Sequence, residues 1–262
     1  MKQLSNENLS RRNFNTNLLS SLFAFSLVET LCGNELLAKP IHAIAKDWLV
    51  EVEDASQAMR KQKLAQSEWQ SKIAEIFARV EPKDLLRAID FDRLRKKLKL
   101  VGTHEAIIEV GTAHRKGLPD ELSFDVMIYG MKKGAVIPPH CHRNMTSMHM
   151  PIGGALHGWH FDRVADEAEY LIIQPTMDKA LTIGEVTTIS DEKDNVHWFQ
   201  PTGEVAYTFN IAVYRIDRAQ KFGGRQFYVD AAHGEKVDGD KRRVRKLSSE
   251  DAYKIYGNAY VL

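Results

Sequence analysis

Two kinds of hydrophobic spacing divide the chain. Between residues 46 and 100, apolar positions recur at threes and fours among Lys, Glu and Gln: Trp48 and Val52, then Trp69, Ile73, Ile76 and Phe77. That spacing predicts amphipathic helices, with Pro82-Lys-Asp-Leu-Leu and Asp90-Phe-Asp-Arg-Leu marking two further short ones. From Glu105 onward the period shortens to two. The β-rich runs are Ala106 to Val110, Leu122 to Tyr129, Ala155 to Phe161, Tyr170 to Ile173, Leu181 to Ser190 and Val205 to Ile216, punctuated by Gly, Pro, Asp and Asn. Along the last of them Phe209, Ile211 and Val213 share one face while Asn210, Ala212 and Tyr214 share the other, the half-polar wall expected where a barrel encloses a polar lumen. The fold this predicts is mostly β: a double-sheet jelly-roll barrel over residues 101–230, preceded by a helical extension over 46–100 and followed by a polar tail over 231–262 anchored by Tyr253, Ile255 and Tyr256.

A second β-period feature carries chemistry. In Gly134-Ala-Val-Ile-Pro-Pro-His140-Cys-His142 the two histidines fall on the same face of a strand and Cys141 on the opposite face. Two imidazoles on one face can each give a ring nitrogen to one metal ion, with a third ligand arriving from a neighbouring strand. His197 is the candidate for that third position. His149, His157 and His160 crowd the following hairpin; His149 shares parity with Ser147 and faces the same way, and all three are read as structural.

Composition narrows the function classes. With 262 residues, 44% hydrophobic, the chain can bury one substantial core. A net charge of +1 gives no reason to expect nucleic acid, the one dense basic run being Lys241-Arg-Arg-Val-Arg-Lys246. Two cysteines, Cys32 and Cys141, exclude a disulfide framework. Ser10-Arg11-Arg12-Asn13-Phe14 followed by the apolar run Leu18 to Val28 and by Ala43-Ile-Ala45 reads as a twin-arginine export signal over residues 1–45, with a periplasmic mature protein; the alternative is an amphipathic first helix of a cytoplasmic protein. The apolar run is too short for a stable membrane span.

The spacing Gly134-x5-His140-x-His142-x4-Ser147-x6-Gly154 resembles the first motif of the cupin superfamily, with Ser147 where most cupins carry a glutamate ligand. A site of three neutral histidines resembles that of the thiol dioxygenases, the cysteine dioxygenase branch, and so does the segment Asn195-Val-His197-Trp-Phe199. The resemblance covers roughly residues 102–228. It implies a cupin double-stranded β-helix in which His140, His142 and His197 hold Fe(II), while a small thiol and dioxygen react to give a sulfinic acid. It further implies that Tyr214, seventeen residues beyond His197, orients or protonates an oxygen intermediate, and that Arg115 grips a substrate carboxylate. Of the Ser-His-Tyr set this branch carries on the lumen face, the matching positions here are Asn210, Ala212 and Tyr214, so the tyrosine alone is retained. Three histidines and a water suit Zn(II), and Mn(II) is a further alternative, for chemistry on a non-thiol small molecule. A non-catalytic barrel that binds a small molecule or metal is the third reading.

Overall fold

In the computed structural model, residues 39–111 and 121–257 are described. Five helices and twelve strands follow one another: α1 (Lys39–Arg60), α2 (Gln66–Phe77), α3 (Pro82–Ala88), α4 (Phe91–Arg95), β1 (Ala106–Glu109), β2 (Asp125–Lys132), β3 (Ile137–Arg143), β4 (Met145–Gly153), β5 (Leu156–Asp166), β6 (Tyr170–Leu181), β7 (Thr187–Ile189), β8 (Val196–Pro201), β9 (Val205–Tyr214), β10 (Gly224–Val229), β11 (Glu235–Asp238), β12 (Lys241–Leu247) and α5 (Ser249–Tyr256). Most of the export-signal reading, residues 1–38, lies outside the described residues, and residues 39–45 open α1. Among the described residues no helix is long and apolar enough to cross a membrane.

The strands form two antiparallel sheets, one of five strands in the order β1-β2-β9-β4-β7 and one of seven in the order β10-β3-β8-β5-β6-β12-β11. The chain passes between sheets at β2–β3, β3–β4, β4–β5, β6–β7, β7–β8, β8–β9 and β9–β10, so that β3 lies against β8 in one sheet while β4 lies against β9 in the other. That pairing of one two-strand ribbon with another is the jelly roll the alternating runs predict. A short contact of β10 with β12, Tyr228↔Leu247 and Val229↔Lys246, draws the ends of the larger sheet together.

Side-chain alternation divides the core into layers. On the five-stranded sheet Val126, Ile128, Met148, Met150, Phe209, Ile211 and Val213 face outward and are covered by Trp48, Leu49, Val52, Trp69, Ile73, Ile76 and Phe77 of α1 and α2. Trp48, Phe77 and Phe209 meet with ring centroids 5.4 to 5.9 Å apart. The helical period and the strand period thus solve one problem together, since neither the helices nor this sheet face would be dry alone. Pro82 opens α3 at its first turn, and Ser248 caps α5 by accepting from the Asp251 amide. On the seven-stranded sheet Cys141, Trp159, Val196, Trp198 and Val244 face outward toward α5. The two remaining faces enclose the lumen.

Residues 235–247, expected as a polar tail, instead extend the larger sheet as β11 and β12, with Val244 opposite Leu171 on β6. Only Val244 and Leu247 of β12 are buried, and its charged side chains pair outward: Arg243 with Glu167 and Lys246 with Asp166. Tyr253 and Tyr256 are buried, the anchoring role expected of them.

Candidate metal centre

His140 and His142 on β3 and His197 on β8 point into the lumen because the strands alternate, and antiparallel register puts His140 directly opposite His197. One ligand atom from each can be chosen so that all lie within 4.8 Å of one another. The ring centroids of His140 and His142 are 4.7 Å apart, those of His140 and His197 4.3 Å, and those of His142 and His197 5.0 Å. At the edge of the site, Asn195 donates through Nδ2 to the carbonyls of His142 and Ser190, tying the end of β3 to the start of β8.

The protonation pattern suits ligation. His140 Nδ1 donates to the Pro138 carbonyl at 2.7 Å, which leaves the Nε2 lone pair of that ring available. Among the described residues neither nitrogen of His142 has a hydrogen-bond partner of normal geometry, nor has Nδ1 of His197, although all three atoms are buried. Each such atom costs about 1–3 kcal/mol unless something satisfies it. Burial, reinforced for His140 and His142 by the Arg225 charge, holds all three imidazoles well below their usual pKa and therefore neutral. Buried, neutral and convergent nitrogens fit a transition-metal ion.

The enclosing pocket, about 30 Å³, is lined by these histidines together with Met127, Tyr129, Ile137, Met145, Ser147, His149, Asn210, Ala212, Tyr214 and Arg225. Among the described residues no carboxylate lines it. Asn210, Ala212 and Tyr214 thus face the lumen as their parity predicts. Ser147 lies opposite Ala212, and His149 opposite Asn210. Arg115 lies outside the described residues.

Three features escape a reading of the chain. The first is a hydrogen-bonded row behind the site: Thr208 Oγ1 donates to Asn210 Oδ1 at 2.6 Å, Asn210 Nδ2 donates to His149 Nδ1, and His149 Nε2 is left to donate to Ser147 Oγ at 3.0 Å. With Nδ1 accepting, the proton on His149 is fixed at Nε2 and the Ser147 hydroxyl hydrogen remains free to point toward the histidines. The second is the place of His160, named in the sequence only as a structural histidine of the hairpin: on β5 it lies opposite His197 on its other side; burial pushes both His149 and His160 down to about 3.

The third feature is Arg225. It pairs with His142 across β3–β10, and Tyr228 pairs with His140. Strict alternation would turn these two side chains to opposite faces, but a bulge between Arg225 and Phe227 resets the register and brings both beside the histidines. Arg225 donates to Tyr228 Oη at 2.8 Å and to Glu105 Oε1 at 3.2 Å, and Glu105 accepts in addition from Tyr253 Oη on α5. The Glu105 carboxylate and the two phenols keep the guanidinium firmly charged despite its burial. The spacing of Arg225 and Tyr228 carries no signal in the sequence, because residues three apart on a regular strand face opposite sides.

No protein-family model matches the sequence, and no curated protein matches it. Among solved structures, the cupin domain of Cnp3 from Schizosaccharomyces pombe overlaps 45% of this chain and 70% of its own, at 11% identity and a TM-score of 0.31. A cupin superfamily protein from Desulfitobacterium hafniense overlaps 46% of this chain and 86% of its own, at 9% identity and a TM-score of 0.30. An oxalate oxidase in complex with glycolate overlaps 43% of this chain at 17% identity and a TM-score of 0.31, and this chain spans about half of that protein's length, 52%. The strand order described above, rather than these overlaps, carries the fold: a mostly β jelly roll with N-terminal helices.

Proposed function

We propose that this protein is a mononuclear Fe(II) dioxygenase of the cupin kind that oxidises a small thiol to its sulfinic acid. The observation behind this reading is a pocket that brings three neutral histidines together with a charged arginine and has no carboxylate in its lining among the described residues. A divalent ion held only by neutral rings keeps its full charge and, beside Arg225, favours an anionic partner such as a thiolate. Fe(II) held by His140, His142 and His197 would supply the dioxygen chemistry, in which both oxygen atoms add to sulfur: RSH + O₂ → RSO₂H.

The remaining residues act on the substrate. Arg225 attracts the anion and is itself held in place by Glu105 and Tyr228. Ser147, its hydroxyl hydrogen left free by His149, would donate a hydrogen bond to a ligand in the pocket. Tyr214 supplies the phenol on the facing wall. Holding the reactants in one small enclosure exchanges a bimolecular encounter for an oriented one.

The test is anaerobic reconstitution with Fe(II) followed by oxygen-electrode measurements over a panel of thiols, with metal content read in parallel for His140→Ala, His142→Ala and His197→Ala. Thiol-dependent oxygen uptake with near-stoichiometric metal, lost in all three variants, is the expected result. Bound metal without uptake would replace this reading with a metal enzyme for a non-thiol substrate, with Zn(II) or Mn(II) in place of iron. Absence of both would leave a small-molecule binding barrel.

A further inference from the structure

The antiparallel register sets three histidines abreast. His140 on β3, His197 on β8 and His160 on β5 are successive cross-strand partners, so their rings stand in one row on the lumen face. His140 and His197 belong to the ligand cluster, whereas His160 stands one strand further on, behind His197 and outside the pocket lining. The rings of His160 and His197 have centroids 5.9 Å apart and planes at 62°. His160 is 2% exposed and meets Phe199 edge-on.

Each of these two neighbours keeps one buried nitrogen without a partner among the described residues, Nδ1 on His197 and Nε2 on His160. A neutral imidazole carries one N–H and one lone pair, so a ring that gives its lone pair to a metal must place its proton on the other nitrogen. That N–H then needs an acceptor, and metal-binding histidines almost always have one, which fixes both tautomer and ring orientation. For His140 the Pro138 carbonyl meets the need. For His197 the surrounding rings narrow the choice. His140 and His142, as fellow ligands, have no lone pair left to accept with. His149 has both nitrogens engaged, one with Asn210 and one with Ser147. Phe199 has no in-plane acceptor. Among the rings that meet His197, the Nε2 of His160 remains.

We propose that His160 is the positioning residue for the metal ligand His197: its Nε2 accepts the proton on His197 Nδ1 through one bridging water, which commits His197 to the metal through Nε2. The two nitrogens make no direct hydrogen bond, and a water between them gains two buried polar partners at once. The link also satisfies two atoms that would otherwise cost about 1–3 kcal/mol each. The proposal rests on the three histidines holding a metal and is independent of the thiol reading.

The test uses the full-length protein, Zn(II) as a diamagnetic probe and two variants. His160→Leu removes the acceptor and sets an apolar side chain beside Phe199, whereas His160→Gln keeps an acceptor oxygen. His160→Leu is expected to raise the Kd for Zn(II) about tenfold or more. Its metal-free form should resist urea as well as wild type does, because the substitution also removes a buried unpaired polar atom. His160→Gln should recover most of the lost affinity. Proton–nitrogen correlation NMR of the zinc form, with nitrogen-labelled histidine, reads the link directly: the His197 proton is expected on Nδ1, exchanging slowly with solvent in wild type and faster in His160→Leu. An unchanged Kd in folded His160→Leu, a loss of metal-free stability that matches the loss of affinity, or a His197 proton on Nε2 would each overturn the proposal and leave the metal centre standing. Failure of the wild type to take up Zn(II) would sink the metal centre and this proposal with it.

Discussion

Removing Arg225 is expected to weaken the fold and strengthen metal binding at once. The side chain of Glu105 is 5% exposed and that of Arg225 28%, so Arg225→Met strands a carboxylate where little water can reach it. Removing one partner of a buried pair costs about 3–5 kcal/mol, and the partial exposure of the guanidinium places this case near about 3 kcal/mol. For a chain of this size that lowers Tm by about 6–12 °C. Adding Glu105→Gln, which keeps an acceptor for Tyr253 Oη but removes the stranded charge, should restore more than half of the loss. Urea unfolding of the metal-free protein, followed by tryptophan fluorescence, measures both variants. Meanwhile the positive charge that depresses the basicity of His140 and His142 is gone, so titration with divalent metal should show a lower Kd in Arg225→Met than in wild type. A loss under about 0.5 kcal/mol, the usual scale of a surface substitution, or weaker metal binding in a folded Arg225→Met protein, would refute the placement of Arg225 beside the histidines.

Other outcomes follow from single positions. Gly154 has a φ of +71°, and a Cβ there would lie 2.1 Å from the Val205 carbonyl oxygen, so Gly154→Ala should destabilise by about 3 kcal/mol or more in equilibrium unfolding. Ser147→Glu puts a carboxylate among the three histidines; metal content should persist in elemental analysis while thiol-dependent oxygen uptake collapses, and unchanged uptake would show that Ser147 does not face the metal. His149 and His160 stay neutral in the native state down to about pH 3 but take up a proton near pH 6.5 when unfolded. Because the unfolded chain then binds more protons, stability is lost as pH falls below 6.5: between pH 7.5 and 5.5 each ring removes about 1.4 kcal/mol, which urea titrations at the two pH values would detect.

The fold class and the three-histidine cluster were legible because both rest on a period of two. His140 and His142 sit on one face with Cys141 on the other, and Phe209, Ile211 and Val213 separate from Asn210, Ala212 and Tyr214, as alternation requires. What escaped lies where that period breaks or is masked by charge. The bulge at Gln226 hides Arg225 and Tyr228 from any alternation argument. The strand Lys241–Leu247 reads as a solvated tail because its charges pair across the sheet surface while only Val244 and Leu247 are buried. The run expected from Leu181 to Ser190 is interrupted by Gly184 at a φ of +91°, so β6 ends at Leu181 and β7 begins at Thr187. The row from Thr208 to Ser147 needs two strands in register, which no single run of residues reveals.

On the proposed reading, an enzyme that oxidises thiols has to spare its own, and Cys141 lies between two of the candidate metal ligands in sequence. The pleat of β3 turns its sulfur away from the lumen into the dry layer shared with Val196 and Trp198, so the strand backbone itself stands between that sulfur and the three histidines. Burial pushes the thiol up to about 11, so that at neutral pH about one molecule in ten thousand carries the thiolate that oxidants attack. On that reading, protection of this thiol follows from a parity rule: shifting Cys141 by one residue along β3 would turn a shielded sulfur toward the three histidines.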